Sequence, residues 1–361
     1  MYVQNVEVKN FRNYEAGAAE FCPALNVMRG RNAQGKTNLL EAVYLCCIGK
    51  SPRATRDRDL IRWGGEHAKV ALTVMKREGS VKIEIYFSEK ENKRVLLNGL
   101  PIMRIGELMG ALNCVFFSPD ELKIVKESPS DRRRFMDIDI SQMSKTYFYL
   151  LNRYNKILSQ RNKLLKTGNE SVMKETLPVW DAQLAETGAK IVVSRKRFIE
   201  KLKPYVSREH QNLTEGKEDL NIEYEGLSGE TVPELTENFL KGLREAAKKD
   251  LKNGFTSVGP HKDDFSLTSG GVDLRVFGSQ GQQRTAALAL KLAELEIFAG
   301  EIGEYPVLLL DDVLSELDLN RQAQLIKRTE RVQTILTCTH LSADFHAAEM
   351  KVFDISEGKI L

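Results

Sequence analysis

Val3, Val6 and Val8 punctuate a polar stretch and predict an opening strand, and Leu25-Asn26-Val27-Met28 predicts a second that runs straight into glycine-containing sequence. Residues 38–47 are apolar almost all round, the pattern of a buried helix. Between 68 and 97 short runs of strand formers return (70–74, 81–87 and 94–97), and Asn98-Gly99 after them is a hairpin signal, so this is an antiparallel patch. Residues 111–117 read as a strand that ends at Ser118-Pro119-Asp120, a helix start. The period then changes. Tyr147, Leu150, Leu151, Tyr154, Ile157, Leu158, Leu164 and Leu165 share one helical stripe. Leu184, Ile191, Val192, Phe198 and Leu202 share another, which predicts two long helices joined through 167–169. Strand pattern resumes near Phe255, a helix is expected over 282–298, and 305–310 and 334–338 are short buried strands. No internal repeat is visible. The fold class is therefore α/β, a head assembled from both chain ends (1–120 and 251–361) with a mainly helical lobe (121–250) inserted between them.

Composition supports a folded chain and adds an asymmetry. At 361 residues, 42% apolar and 29% charged, core burial is not limiting. The first ten residues lack a signal peptide's apolar core, and no apolar run approaches the ~18–20 residues of a membrane span, so a soluble, cytoplasmic protein is expected. Cys22, Cys46, Cys47, Cys114 and Cys338 are odd in number and form no CxxC, which predicts reduced, buried thiols. His67, His210, His261, His340 and His346 are scattered without a metal-ligand spacing, and no zinc is expected. The net charge of +3 conceals a middle segment, 121–210, at +8 and a C-terminal part, 211–361, at −10. That split points to an acidic partner against the middle, although a solvated helical face has the same composition.

Gly30-Arg31-Asn32-Ala33-Gln34-Gly35-Lys36-Thr37 matches G-x-x-x-x-G-K-[ST] directly after a predicted strand and before a predicted helix. Glycines let the backbone curl so that its N–H groups face a polyphosphate, and the helix N-terminus adds positive potential. Lys36 is expected on the β- and γ-phosphates of ATP, and Thr37 on Mg²⁺. Far along the chain, 305–310 ends in Asp311-Asp312, which is where a fold of this kind keeps its Mg²⁺ carboxylate. Asp311 is the candidate metal ligand; Asp312, facing the opposite way along a strand, is the candidate general base. The long gap from Lys36 to Asp311 requires a sizeable insertion.

Phe277-Gly278-Ser279-Gln280-Gly281-Gln282-Gln283 precedes an apolar-periodic helix and offers a second phosphate-seeking helix start, although read alone it is equally an ordinary Ser-Gly cap. Together with the acidic strand and with Ser315-Glu316-Leu317-Asp318 after it, this loop resembles the S-x-G-Q signature of ABC-type ATPases. His340, after the 334–338 strand, stands at that class's switch histidine, and also where a plain strand-end histidine would stand. Asn10-Phe11-Arg12-Asn13-Tyr14, Ser51-Pro52-Arg53, Ser118-Pro119-Asp120, Arg132-Arg133-Arg134-Phe135 and Gly259-Pro260-His261-Lys262-Asp263-Asp264 narrow the resemblance, over nearly the whole chain, to the RecF family within the ABC/SMC-type ATPases.

That resemblance implies an SMC-like P-loop ATPase head and a second lobe without a long coiled coil. It implies an ATP-dependent homodimer in which Ser279, Gly281 and Gln282 of one copy meet the γ-phosphate held by the other. Arg12, Asn13 and Asn38 join the nucleotide-binding set, and Lys36, Asp312 and His340 the catalytic one. It further implies binding of gapped or junction DNA without sequence preference, in recombinational repair, with RecR as partner and RecO in the same pathway. The broader class usually has Glu at the position of Asp312, and the shorter side chain fits slow, DNA-stimulated hydrolysis. Arg132, Arg133, Arg134, Arg153, Lys156, Arg161, Lys163, Arg195, Lys196 and Arg197 are the candidate DNA phosphate contacts. The Arg132 to Arg134 run could instead pair internally with Asp131, Asp137 and Asp139, and Arg53, Arg56 and Arg58 suit DNA or nucleotide equally. A transporter ATPase subunit and a non-hydrolysing ATP-dependent scaffold remain rival readings.

Overall fold

The computed structural model describes residues 1–167, 170–340 and 349–361 and divides into two compact units, Met1–Leu122 with Lys291–Leu361, and Lys123–Leu290.

The first unit holds two sheets. One is antiparallel, in the order Tyr14–Glu20, Tyr2–Phe11, His67–Lys76, Gly79–Ser88, Arg94–Leu97, Leu100–Pro101. Its last hairpin turns at Asn98 (φ 51°) and Gly99 (φ 79°), the two left-handed residues that an Asn-Gly turn supplies at least cost. The other sheet runs Lys359–Ile360, Met350–Ser356, Leu25–Arg29, Thr334–Cys338, Val307–Asp311, Cys114–Phe117, and all its pairings are parallel except that of the terminal hairpin. Buried on both faces, Val307–Asp311 and Thr334–Cys338 are apolar without alternation. The helix Lys36–Ile48 touches strands of both sheets and is buried nearly all round, as its sequence predicts.

The second unit is built on helices Pro129–Met143, Lys145–Thr167, Glu170–Thr214 and Val232–Asn253, with a three-stranded sheet in the order Val272–Asp273, Asp264–Ser269, Asn221–Glu225. The two expected long helices are there; Gly168 and Asn169 of their expected junction lie outside the described residues. Two expectations need correction. No strand forms near Phe255: Gly254 caps the preceding helix in the left-handed region, Gly259 has φ 125°, and pairing resumes only at Asp264. The inserted unit ends at Leu290 and not at 250, because Asp264–Ser269 pairs back onto Asn221–Glu225 and so holds the following segment with the lobe. Cys46, Cys47, Cys114 and Cys338 are buried free thiols, while Cys22 is only half-buried. Among the described residues no helix is long and apolar enough to cross a membrane.

Candidate nucleotide and DNA sites

The phosphate loop follows the strand Leu25–Arg29 and is shaped by contacts that a side chain at Gly30 would obstruct. A Cβ there would lie 2.3 Å from the carbonyl oxygen of Ile355, and Gly35, at φ 119°, precedes the helix with no side-chain cap on its first N–H groups. Ala33 is also left-handed, at φ 64°. The loop wraps its own lysine: Lys36 Nζ donates to the carbonyls of Gly30 (2.5 Å) and Arg31 (2.9 Å). Arg31, Asn32 and Ala33 are exposed.

Gln34 is tied down. Its carbonyl accepts from Asn13 Nδ2 (2.9 Å) and the Gly358 N–H (3.0 Å), and its Oε1 accepts from the Glu357 N–H (2.7 Å). Asn38 Nδ2 donates to Asn13 Oδ1 (2.8 Å), and the Tyr14 hydroxyl donates to the Gly35 carbonyl (3.1 Å). Burial pushes the Tyr14 hydroxyl well above the usual tyrosine range, so it stays a donor. Asn13 and Asn38 thus hold the loop itself. Arg12 is committed to Glu41, a carboxylate 1% exposed that also accepts from Ser51 (2.5 Å) and lies 3.5 Å from Arg53.

At the end of Val307–Asp311, Asp311 Oδ1 accepts from Thr37 Oγ1 at 2.8 Å and from Thr337 Oγ1 at 2.9 Å. A hydroxyl and a carboxylate held together are hard oxygen donors of the kind Mg²⁺ takes in small number, keeping the rest of its shell for phosphate and water, so the residues present fit that ion. Asp312 does not continue the strand's alternation. It turns into the left-handed region (φ 53°), and its N–H donates to Thr337 Oγ1 at 2.9 Å. Thr337 is therefore a site residue that sequence reasoning missed; the signal was a hydroxyl inside an apolar strand three residues before the exposed His340.

The second unit carries the other helix start. The helix Gln280–Ile302 opens with a reciprocal cap in which Ser279 Oγ accepts the Gln282 N–H (3.2 Å) and Gln282 Oε1 accepts the Ser279 N–H (3.0 Å). Gly278 is required, since a Cβ would lie 2.5 Å from the Leu274 carbonyl oxygen. Ser279, Gln280 and Gly281 are exposed, and Gln282 also reaches Glu218 (3.3 Å).

Of the ten candidate DNA contacts, Arg134, Arg153, Lys156, Lys163 and Arg197 are exposed. Three are corrected. Arg132, 2% exposed, makes a bidentate pair with Asp264 (2.6 and 2.9 Å). Arg161, fully buried, holds Asp181 (2.6 Å) and Asp250 (3.0 Å). Arg195, 2% exposed, holds Asp137 (2.8 Å) and the Pro260 carbonyl (2.6 Å). Arg133 donates to the Asp263 carbonyl (2.7 Å), and Lys196 to Glu230 (2.7 Å) and the Gly229 carbonyl (2.6 Å). The internal pairing weighed for the arginine run is real for Arg132, but its carboxylate is Asp264 rather than Asp131, Asp137 or Asp139. The segment 259–264 is thus held inside the lobe by guanidinium groups.

The chain matches the model of the RecF/RecN/SMC N terminal domain over residues 2–358. It is 45% identical to the DNA replication and repair protein RecF of Alkaliphilus oremlandii over 100% of both chains, and 44% identical to that of Clostridium novyi over 100% of this chain and 99% of the other. A solved structure of the recombination mediator protein RecF with ATP, from the RecFOR pathway, superposes with TM-score 0.92 at 40% identity, covering 99% of this chain and 96% of that one. The SMC head bound to the C-winged helix domain of ScpA shares the fold at TM-score 0.61 and 18% identity, covering 100% and 97% of the two chains.

Proposed function

Since this chain belongs to the RecF family, an ABC/SMC-type ATPase family of DNA replication and repair proteins, we propose that it clamps gapped or junction DNA as an ATP-driven homodimer and lets go by slow hydrolysis. The observation that carries this reading is the pair of helix N-termini in one polypeptide, Gly35 before Lys36–Ile48 and the exposed Ser279 cap before Gln280–Ile302. Both present N–H groups and positive potential to an anion. The phosphate loop already surrounds its own triphosphate, so the Ser279 start serves the γ-phosphate of a second copy.

Within each subunit Lys36 exchanges the Gly30 and Arg31 carbonyls for phosphate oxygens, while Asn13, Asn38 and Gln34 keep the loop curled. Thr37 and Asp311 would hold Mg²⁺, which supplies charge neutralisation on the phosphate oxygens. Asp312 orients the attacking water, with Thr337 fixing the turn that aims it, and His340 lines the same strand end. ADP lacks the group the Ser279 loop contacts, so hydrolysis removes the contact energy that favoured the closed dimer. Arg134, Arg153, Lys156, Lys163 and Arg197 supply sequence-independent phosphate contacts. Recombinase loading with RecR and RecO is the cellular role this cycle suits.

The test is molecular mass in solution with ATP, with ADP and without nucleotide, for wild type, Lys36→Met and Ser279→Arg. A dimer formed only with ATP and lost in both variants is expected. A dimer that ignores nucleotide, or one that Ser279→Arg leaves intact, overturns the composite site.

A further inference from the structure

Trp63 is 98% exposed, the most exposed large apolar side chain among the described residues. It occupies the second position of a turn over 62–65 in which the Gly65 N–H donates to the Arg62 carbonyl (2.8 Å) and Gly64 has φ 78°, the arrangement of a type II turn. That corner is open, with nothing within 4 Å of where a Cβ on Gly64 would sit. The turn is not loose. The Arg62 N–H donates to the Asn10 carbonyl (2.8 Å), the Arg12 N–H donates to the Leu60 carbonyl (2.8 Å), and Phe11 bridges Ile61. An indole is therefore held outward on a braced backbone, not left over from packing.

The segment that leads into it is basic. Residues 50–63 contain Lys50, Arg53, Arg56, Arg58 and Arg62 against Asp57 and Asp59. Asp57 is offset by Lys93, 3.1 Å away. Arg53 and Arg62 lean on Glu41 (3.5 Å) and Glu15 (3.7 Å). Arg56 and Arg58 are exposed, and among the described residues their side chains have no hydrogen-bond or ion-pair partner. Unpaired guanidinium groups seek phosphate, and an exposed aromatic face seeks a base that is not already stacked in a duplex.

We propose that the Trp63 turn is a contact for single-stranded DNA, in which the indole stacks on an unpaired base and Arg56 and Arg58 take the flanking phosphates. This rests on the DNA-binding reading above and adds to it a residue and a preference for unpaired strand. The charge excess favours nucleic acid over an apolar protein partner, for which a lone aromatic among free arginines is a poor anchor.

Fluorescence anisotropy with ATP present would compare wild type, Trp63→Ala and Trp63→Phe on a blunt duplex and on the same duplex with a single-stranded gap. Because the side chain is exposed, the variants keep the fold. Trp63→Ala should bind gapped DNA roughly tenfold more weakly and duplex as well as wild type, with Trp63→Phe restoring most of the loss. In a Trp180→Phe background, where Trp63 is the one tryptophan left of the two in the chain, single-stranded DNA should quench its fluorescence. Gapped-DNA binding unchanged in Trp63→Ala, an equal loss on both DNAs, or an effect seen only when a partner protein is added overturns the proposal. Failure of wild type to bind either DNA overturns the broader reading with it.

Discussion

Thr337 Oγ1 donates its proton to Asp311 Oδ1 at 2.9 Å and itself accepts the backbone N–H of Asp312, also at 2.9 Å. One buried threonine from the neighbouring strand therefore sets both carboxylates of the site.

Thr337→Val should separate this role from packing. The volume is kept, but the Asp312 N–H loses its acceptor, a loss worth about 1–3 kcal/mol when buried. Misplacing Asp312 by even a fraction of its length should slow hydrolysis on the order of 100-fold. Thr337→Ser should keep both properties near wild type. Phosphate release and urea unfolding on the three proteins check this; a valine variant with wild-type turnover would remove Thr337 from the site.

Asp312 sits at φ 53°, where a side chain other than Gly, Asn or Asp is costly. Asp312→Gly should thus leave stability unchanged or raised by about 1 kcal/mol, while hydrolysis falls by roughly 10²–10⁴ if the carboxylate is the base. A β-branched replacement should destabilise instead. Should the glycine variant turn over ATP at the wild-type rate, the water is oriented by some other group.

The candidate nucleotide site could be read because its pieces are contiguous: the glycines that clear Ile355 and form the turn lie within eight residues of the lysine, and an apolar run ending in two aspartates marks the strand whose carboxylate meets Thr37. Thr337 was not, because its role arises from the order of strands, which places Thr334–Cys338 between Leu25–Arg29 and Val307–Asp311. The buried arginines were misread by type where spacing held the answer. Arg161 falls on the stripe of Tyr154, Ile157 and Leu165, and Arg195 on that of Ile191, Val192, Phe198 and Leu202. A guanidinium on an apolar stripe must bring its own carboxylates into the core, and Asp250 and Asp137 come from other helices. The boundary at Leu290 was hidden for a related reason, since a strand pairing across tens of residues leaves little local mark.

The two classes of lobe arginine should respond oppositely to substitution. Arg161→Ala strands the buried Asp250 and should cost about 3–5 kcal/mol, enough to lower the unfolding midpoint sharply. Charge reversal at Arg153, Lys156, Lys163 and Arg197, all exposed, should leave the midpoint near wild type. It should instead weaken DNA binding and flatten its dependence on salt by roughly one unit of slope per lost phosphate contact. Titrations at several salt concentrations test the surface, and an unaltered slope would move DNA elsewhere on the protein.

His261 supplies a pH dependence whose sign can be worked out. Its Nε2 meets the Thr256 carbonyl at 2.9 Å, which requires the proton there, so Nδ1 accepts from the Tyr154 hydroxyl at 2.7 Å. Burial lowers the imidazole's pKa from 6.5 to about 4, and the ring is neutral in the folded protein near pH 7. The unfolded chain takes up a proton near pH 6.5 and the folded one does not until about pH 4. The stability is therefore complete above 6.5 and is lost as pH falls through that window, by up to about 3 kcal/mol. Asp263, its pKa raised by burial, works in the opposite sense, because the folded state holds that proton more firmly as pH falls. Comparing wild type with His261→Gln cancels the Asp263 contribution, since both proteins carry it. Glutamine keeps a donor for the Thr256 carbonyl but cannot titrate. In urea unfolding, the advantage of wild type over His261→Gln should shrink steadily from pH 7 toward pH 4. An advantage constant across that range would mean that the ring titrates in the folded lobe as it does in water.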